Sequence, residues 1–457
     1  MGKTANGPGS MNCFDVTDYG AHPDGKSVNT AAIQAAVDAC SAAGGGIVVI
    51  PPGIYLTGTV FLKSNLTLRL ESGAVLRGSP DLSDYCADDA YAQNAACPRE
   101  GWCGAHLLVA VEQENITLTG PGAIDGNCYA FYDEPKERDW AGGLCWSRGI
   151  RGTDPAKAEL RPGQMVVFVQ CCGVRVESLT LRNSPCWTCF FHGCRDVHVH
   201  SLTIDNPVDG LNTDGIDIDC CSQVTVSDCI IRTGDDGITL RASGRRLKDQ
   251  SAVCEDVAVT NCILDTSVCG FRIGVGSGVI RNASISNIVL RYAGIGFLLQ
   301  SSYGKPGQGV TIENISVDGV RGRQVGHPVK ITAGAEETGG AKIRRIDFRG
   351  IRVECCGGME IRGSADLQPD GIAFRDCSFD VVCRDRFCRP EKRPKTFLDL
   401  SRCGGISFFD CALNWLDPDS EWEAATAVSE VKNLQMKDCL FPEPPAEKFD
   451  SADRRQS

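Results

Sequence analysis

From residue 174 onward, apolar side chains recur at offsets 0, 2, 5 and 7 of a short unit. The unit reads Val174, Val176, Leu179 and Leu181, then Val197, Val199, Leu202 and Ile204, then Val224, Val226, Cys229 and Ile231. Val257, Ala283, Val310, Ile346, Ile372, Ile406 and Leu434 open the following units, giving ten copies that start 23 to 36 residues apart. Strand side chains alternate, so offsets 0 and 2 face one way and so do 5 and 7. The change of parity between 2 and 5 marks a corner. A unit this short cannot bury its own apolar face and must stack on its neighbours. Stacked bent strands predict an all-β solenoid, a parallel β-helix with rungs about 4.8 Å apart. A leucine-rich repeat would show a Leu/Asn consensus that is absent, and a propeller needs about 40–45 residues per blade.

Residues 14–25 read as a first strand and a Gly-rich turn. Asn29 or Thr30 is expected to cap a helix over Ala31–Ala42 that closes at Gly44-Gly45-Gly46 and caps the solenoid. Ile47–Ile50, Val60–Leu62 and Leu66–Leu70 alternate as strands. Two stretches break the rhythm. Residues 125–163 carry Tyr129, Phe131, Tyr132, Trp140 and Trp146 among many charges, and residues 382–397 are basic. Insertions in solenoids tend to gather on one binding face. The first is a candidate for closing one end of a cleft, and the second reads as a solvated loop. Residues 1–10 read as a Gly-rich polar remnant, disordered, before a native start at Met11, 11–441 as the β-helix, and 442–457 as a polar tail expected to fray.

The formal net charge is -12, which excludes nucleic acid and anionic membrane as expected partners. No apolar run is long enough for a transmembrane helix, and the first residues lack a signal-peptide core, so a cytoplasmic location is expected. The chain has 26 cysteines. Cys171-Cys172, Cys220-Cys221 and Cys355-Cys356 are adjacent and badly placed to bond within themselves. Many others occupy positions that want a small apolar side chain, so reduced, packed thiols are expected. No paired Cys-x-x-Cys spacing indicates zinc.

A second short strand follows each unit. Aligning DGIDID (214–219), DGITLR (236–241), CGFRIG (269–274) and IGFLLQ (295–300) puts Asp214, Asp236, Cys269 and Ile295 in one column. Asp217, Thr239, Arg272 and Leu298 form a second, and Asp219, Arg241, Gly274 and Gln300 a third. Asp235 stands beside the first column. Three carboxylates this close repel, so at least one is expected to hold its proton. Glycoside hydrolysis needs one protonated acid and one ionised base. The plainer reading is turn chemistry, because Asp-Gly and Asn-Thr-Asp form turns well.

The runs DYGAHPDG, NTAAIQAAVDAC and GGGIVVIPPGIYLTG, with RPGQMVVF, LRNSPCWT, TIDNP, NTDGIDID and GDDGI, resemble glycoside hydrolase family 28, the polygalacturonase-like family, and its exo-acting bacterial members. The resemblance covers about residues 14–440. It implies a single-stranded right-handed parallel β-helix, an inverting mechanism and no cofactor or metal. It implies Asp235 as general acid and Asp214 with Asp236 as the pair that activates water. Inversion would ask for carboxyls roughly 6.5–9.5 Å apart.

Two motifs depart from the family. Its Gly-His-Gly stands here as Val268-Cys269-Gly270, and its carboxylate-binding Arg-Ile-Lys as Leu298-Leu299-Gln300. A uronate left without a cation is costly to bury, so a neutral terminal sugar becomes a reading alongside galacturonate. Arg272, Arg241 and Lys330 are candidates for a relocated carboxylate clamp, with Glu360 placed to compete for Lys330. Asn212, Asp217, Gln300 and Trp187 complete the expected sugar-binding set, although a core Trp is an equal reading. His192 and His327 are candidates to replace the lost His. The expected substrate is a plant-derived oligosaccharide or glycoside, cut from its end. A non-catalytic sugar-binding β-helix is the alternative from another class. The oligomeric state is not legible.

Overall fold

A computed structural model describes residues 12–86, 102–140, 143–150, 161–251, 253–303, 306–382, 395–418 and 421–445. Strands stack in parallel from one end to the other in three ladders, the parallel β-helix expected from the repeat. One ladder runs through Gly46–Ile50, Leu66–Leu70, Glu114–Thr119, Cys172–Glu177 and Arg195–His200. A second runs through Gly53–Thr57, Ala74–Gly78, Ala123–Asp125 and Thr180–Arg182. The third runs through Leu108–Val111, Val166–Val169, Cys189–His192, Ile216–Asp219 and Ile238–Ala242, and this one carries the candidate site.

The corner between offsets 2 and 5 is a single residue in left-handed conformation. Ser178, Ser201, Asp228, Asn261, Asn287, Gly319, Gly350, Asp376 and Asp410 all have φ between 52° and 68°. Asn, Asp and Gly tolerate that region best. Amide side chains also bond along the stack, as Asn261 Nδ2 does to Asp228 Oδ1 at 3.2 Å.

The same column corrects one unit. The expected copy Val310, Ile312, Ile315, Val317 is out of register: Ile315 pairs with Ala283 and with Ile346, so the true unit is Ile315, Val317, Val320, Gly322. Its last position is Gly322, where a Cβ would come within 2.5 Å of Val353. A second left-handed column lies five residues earlier, at Asp256, Asn282, Asn314 and Arg345. A slip of five therefore reproduces the pattern.

Between the ladders the core fills with like side chains stacked at rung spacing. Phe348, Phe374 and Phe408 lie 4.8 Å apart with planes within 6°. Cys40, Cys171, Cys194, Cys229, Cys262, Cys377 and Cys411 are thiols buried among the core side chains. Cys229 and Cys262 occupy the offset-5 column, where other rungs carry Leu or Ile.

The N-terminal cap departs from expectation in detail. Strand Cys13–Asp15 ends in a 3₁₀ turn at Val16–Tyr19, because the Asp15 carboxylate accepts from Thr17 N at 2.9 Å, and a second strand follows at Asp24–Val28. Helix Thr30–Ala42 forms, and Asn29 sits at its N-cap position, but no side chain caps it. The Asn29 amide instead binds His22 N and O and Ser27 O, stapling the preceding loop. Within 125–163, Tyr132–Trp140 and Gly143–Ile150 form an antiparallel hairpin off the solenoid. The Trp140 and Trp146 side chains and residues 383–394 lie outside the described residues. Pro442 accepts from Trp415 Nε1 at 2.7 Å, so the start of the tail lies against the last rungs. Among the described residues no helix is long and apolar enough to cross a membrane.

Candidate active site

On the third ladder, alternation sends Ile216 and Ile218 into the core and Asp217 and Asp219 to the outer face. Asp217 pairs with Thr239 and Thr239 with Arg272, then Arg272 with Leu298 and Leu298 with Lys330, as the aligned columns require. The glycines after the acids serve a purpose beyond turning. A Cβ on Gly215 would lie 2.4 Å from Gly237 O, and one on Gly237 or Gly270 would lie 2.8 Å from the next rung's glycine carbonyl. Glycine here lets successive backbones stack closely beside the carboxylates.

Asp214, Asp235 and Asp236 come together, with one oxygen of each within 4.8 Å of the others. Asp214 and Asp236 are 4% and 3% exposed, and Asp235 is half-buried. The closest oxygens are nearer than the 6.5–9.5 Å carboxyl separation expected of an inverting pair. The three oxygens are also spaced to grip a cation.

Burial, then the Asp236 charge, pushes the Asp235 carboxyl up to about 8, with Arg272 opposing. Burial and the charges of Asp235, Asp217 and Asp236 hold Asp214 well above the ordinary carboxylate range. The cluster therefore shares protons near neutral pH. Asp236 faces the cation: Arg272 Nη1 lies 3.4 Å from its Oδ2. Among the described residues nothing donates a hydrogen bond to the buried Asp214 Oδ1 and Asp236 Oδ1, so each retains the capacity to hold a water or hydroxyl.

The backbone of the cluster is pinned by hydroxyls that the motifs did not single out. Thr233 Oγ1 donates to Asp235 O at 2.8 Å, and Thr266 Oγ1, its ladder partner, donates to the same carbonyl. Thr213 Oγ1 accepts from Gly234 N at 2.9 Å and so ties the Asp214 arm to the Asp235 turn. Two threonines in one column were the available sequence signal.

Several expected sugar contacts are already engaged. The Arg272 guanidinium lies on Asp236, 3.4 Å from Gln300 Oε1 and 4.5 Å over the Tyr303 ring, so it is not a free carboxylate clamp. Arg241 pairs with Asp217 at 3.1 Å and lies 3.9 Å from Asp219. Asp217 is fully buried, pushed up to about 7 by burial against the pull of Arg241, and lies behind any surface a sugar would touch. Trp187 is 9% exposed, and Arg241 covers one face of its ring at 4.2 Å. Asn212 Oδ1 accepts from Arg161 Nη2 at 2.9 Å. Lys330 is half-buried and makes no ion pair among the described residues. Glu360 instead pairs with Arg362 at 3.2 Å, and burial depresses the Lys330 ammonium.

Neither histidine joins the cluster. His192 stacks on Phe190 and lies 3.4 Å from Ser243 O and 3.9 Å from Asp219. His327 shares the column of Ile295 and Cys269 but lies three rungs beyond Asp236, with Nδ1 2.9 Å from Gly358 O. Cys269 is fully buried, and burial with the Asp236 charge keeps it a neutral thiol.

Residues 13–97 match the model of rhamnogalacturonase A/epimerase, pectate lyase-like proteins. A probable polygalacturonase of Vitis vinifera is 27% identical over 330 residues, 63% of each chain. An exo-poly-alpha-D-galacturonosidase of Dickeya chrysanthemi is 28% identical over 258 residues, 50% of this chain and 42% of that one. The chain thus spans under two thirds of these relatives. Among solved structures, a family 28 exopolygalacturonase of Yersinia enterocolitica superposes with TM-score 0.69 at 22% identity, covering 93% of this chain and 78% of that one. An exopolygalacturonase of Thermotoga maritima gives TM-score 0.57 at 18% identity and 92% coverage of both. The fold is therefore the right-handed parallel β-helix of these enzymes, and residues 92–255, the segment holding all three clustered carboxylates, match glycosyl hydrolases family 28.

Proposed function

We propose that the chain hydrolyses the terminal glycosidic bond of a pectin-type oligosaccharide, with Asp235 as acid and with Asp214 and Asp236 holding the attacking water. The supporting observation is the convergence of three carboxylates within 4.8 Å, one of them kept protonated up to about pH 8. Asp235 gives its proton to the leaving oxygen as the bond to the anomeric carbon breaks. Water, oriented by the unpartnered Asp214 Oδ1, bonds to that carbon from the opposite face, and its proton passes to Asp236 beside Arg272. Attack opposite the leaving group inverts the anomeric centre. In this reading Asp214 and Asp236 share the one attacking water, so they act as a single base, and the sugar enters between that pair and Asp235.

The activities of the relatives point to galacturonate at the cut end. In this reading Lys330 meets its carboxylate, since Arg272 is committed to Asp236. The Leu298-Leu299-Gln300 segment, stripped of charge, favours the second reading, a neutral terminal sugar. A panel of uronic and neutral oligosaccharides, run with and without EDTA, separates the two. Lys330→Met is expected to lower kcat/KM on uronic substrates by about 10–100-fold, the worth of a charge-assisted hydrogen bond, and to leave neutral ones unchanged. Faster cleavage of neutral sugars, with Lys330→Met silent on both, contradicts the uronate reading. Sugar binding without hydrolysis contradicts the enzyme reading, and loss of activity with EDTA contradicts the metal-free route.

A further inference from the structure

Arg161 is fully buried, and it lies just beyond the hairpin insertion rather than on the catalytic strands. Its Nη1 donates to Tyr132 Oη at 2.9 Å and to the carbonyls of Pro185 and Leu211. Its Nη2 donates to Asn212 Oδ1 at 2.9 Å. Tyr132 opens the hairpin strand, and its hydroxyl lies 2.9 Å from Pro185 O and 3.1 Å from Leu211 O. The guanidinium therefore joins three segments: the hairpin base, the turn one rung before the acids, and the two residues that lead into Thr213-Asp214.

Arg161 braces Leu211-Asn212 directly, through the Leu211 carbonyl and the Asn212 side chain, where the chain turns through a left-handed residue (Asn212, φ 51°) that asparagine tolerates well. The brace extends further, because Thr213 Oγ1 accepts from Gly234 N and donates to Gly210 O at 3.1 Å. A displacement at Asn212 thus moves Asp214 directly and the Asp235 turn through Thr213. A buried charge is a costly way to fill space. Here it supplies several donors in one plane at fixed angles, which neither an apolar side chain nor a lysine reproduces.

We infer that Arg161 is a positioning residue: it sets the distance between the Asp214 arm and the Asp235 turn, and it couples that distance to the base of the hairpin insertion. The inference rests on the reading of Asp214 and Asp235 as partners in catalysis. Arg161 touches neither the substrate nor the carboxylates in this role.

The test compares Arg161→Lys and Arg161→Ala with the intact chain and with Asp235→Asn, reading kcat, KM, the pH profile, melting, and hydrogen exchange over residues 206–216. The expected result is a fall in kcat of about 10-fold for Arg161→Lys and about 100-fold for Arg161→Ala, with KM within about threefold. The pH limbs are expected to shift, exchange over 206–216 to quicken, and guanidinium ion at non-denaturing concentration to restore part of the Arg161→Ala rate. Normal kcat, pH limbs and exchange in a folded variant, whatever its melting point, overturn the inference. If Arg161→Ala does not fold, Arg161→Lys is judged by the same readings. If the intact chain hydrolyses nothing, or Asp235→Asn is as active as it, the catalytic reading falls. Exchange then decides alone: quickened exchange in the variants upholds the brace, and unchanged exchange overturns it.

Discussion

Asp235→Asn is expected to lower kcat by about 10³–10⁴-fold and, at pH 8, to raise the melting temperature. The first effect follows from the loss of the proton donor. The second follows from linkage. Burial and the Asp236 charge lift the Asp235 carboxyl from 3.8 to about 8 in the folded chain. Between those values the folded state binds a proton that the unfolded state has released, so stability falls as pH rises across the window. Asn carries no such dependence. The stability gain is largest near pH 8 and vanishes below about pH 4, where the carboxyl is neutral in both states. The activity of the intact chain should fall above about pH 8 as the acid loses its proton. Thermal melts and kcat across pH 4 to 9 check both arms. Undiminished turnover, or a variant less stable at pH 8 than the parent, contradicts the assignment.

Arg272→Met is expected to damage stability and chemistry together. The guanidinium and the Asp236 carboxylate are both nearly buried at 3.4 Å, with side chains 8% and 4% exposed. Removing one partner of such a pair leaves the other desolvated, a loss of about 3–5 kcal/mol, and the cover over Tyr303 is lost as well. The kcat should fall by about 100-fold or more, because the proton acceptor loses its cation. The pH profile supplies the separating measurement. Arg272 holds the Asp235 carboxyl down, so its removal should move the alkaline limb above 8. A substrate-clamping Arg272 would instead raise KM and leave that limb in place.

The repeat was legible because the solenoid writes each rung as the same few apolar residues, and the catalytic columns followed from stacking those rungs. The column through Asp217, Thr239, Arg272, Leu298 and Lys330 holds in the structure, whereas the third breaks after Arg241, where the register shifts and Ala242 pairs with Gly276. The slip at Val310–Val317 arose where Gly322 erased an apolar position and a second left-handed column offered the same pattern five residues away. Side-chain commitments were harder to read. A column says that Arg272 lies on the cleft wall, not that it turns toward Asp236 rather than a substrate. Nor does it say that Arg241 covers Trp187. Arg161 and Tyr303 stayed hidden because they lie outside the unit and reach the site across chain segments with no periodicity.

The central claim is that these three carboxylates deliver one water to one sugar carbon opposite a leaving group protonated by Asp235. Proton NMR of the first-formed product, recorded within the earliest turnovers on an oligogalacturonate or the preferred member of the substrate panel, tests it most directly. The account predicts that the anomer opposite to that of the cleaved bond appears first and then mutarotates. The original anomer in the first spectra, or an unsaturated product in place of a hydrolysed one, would contradict it.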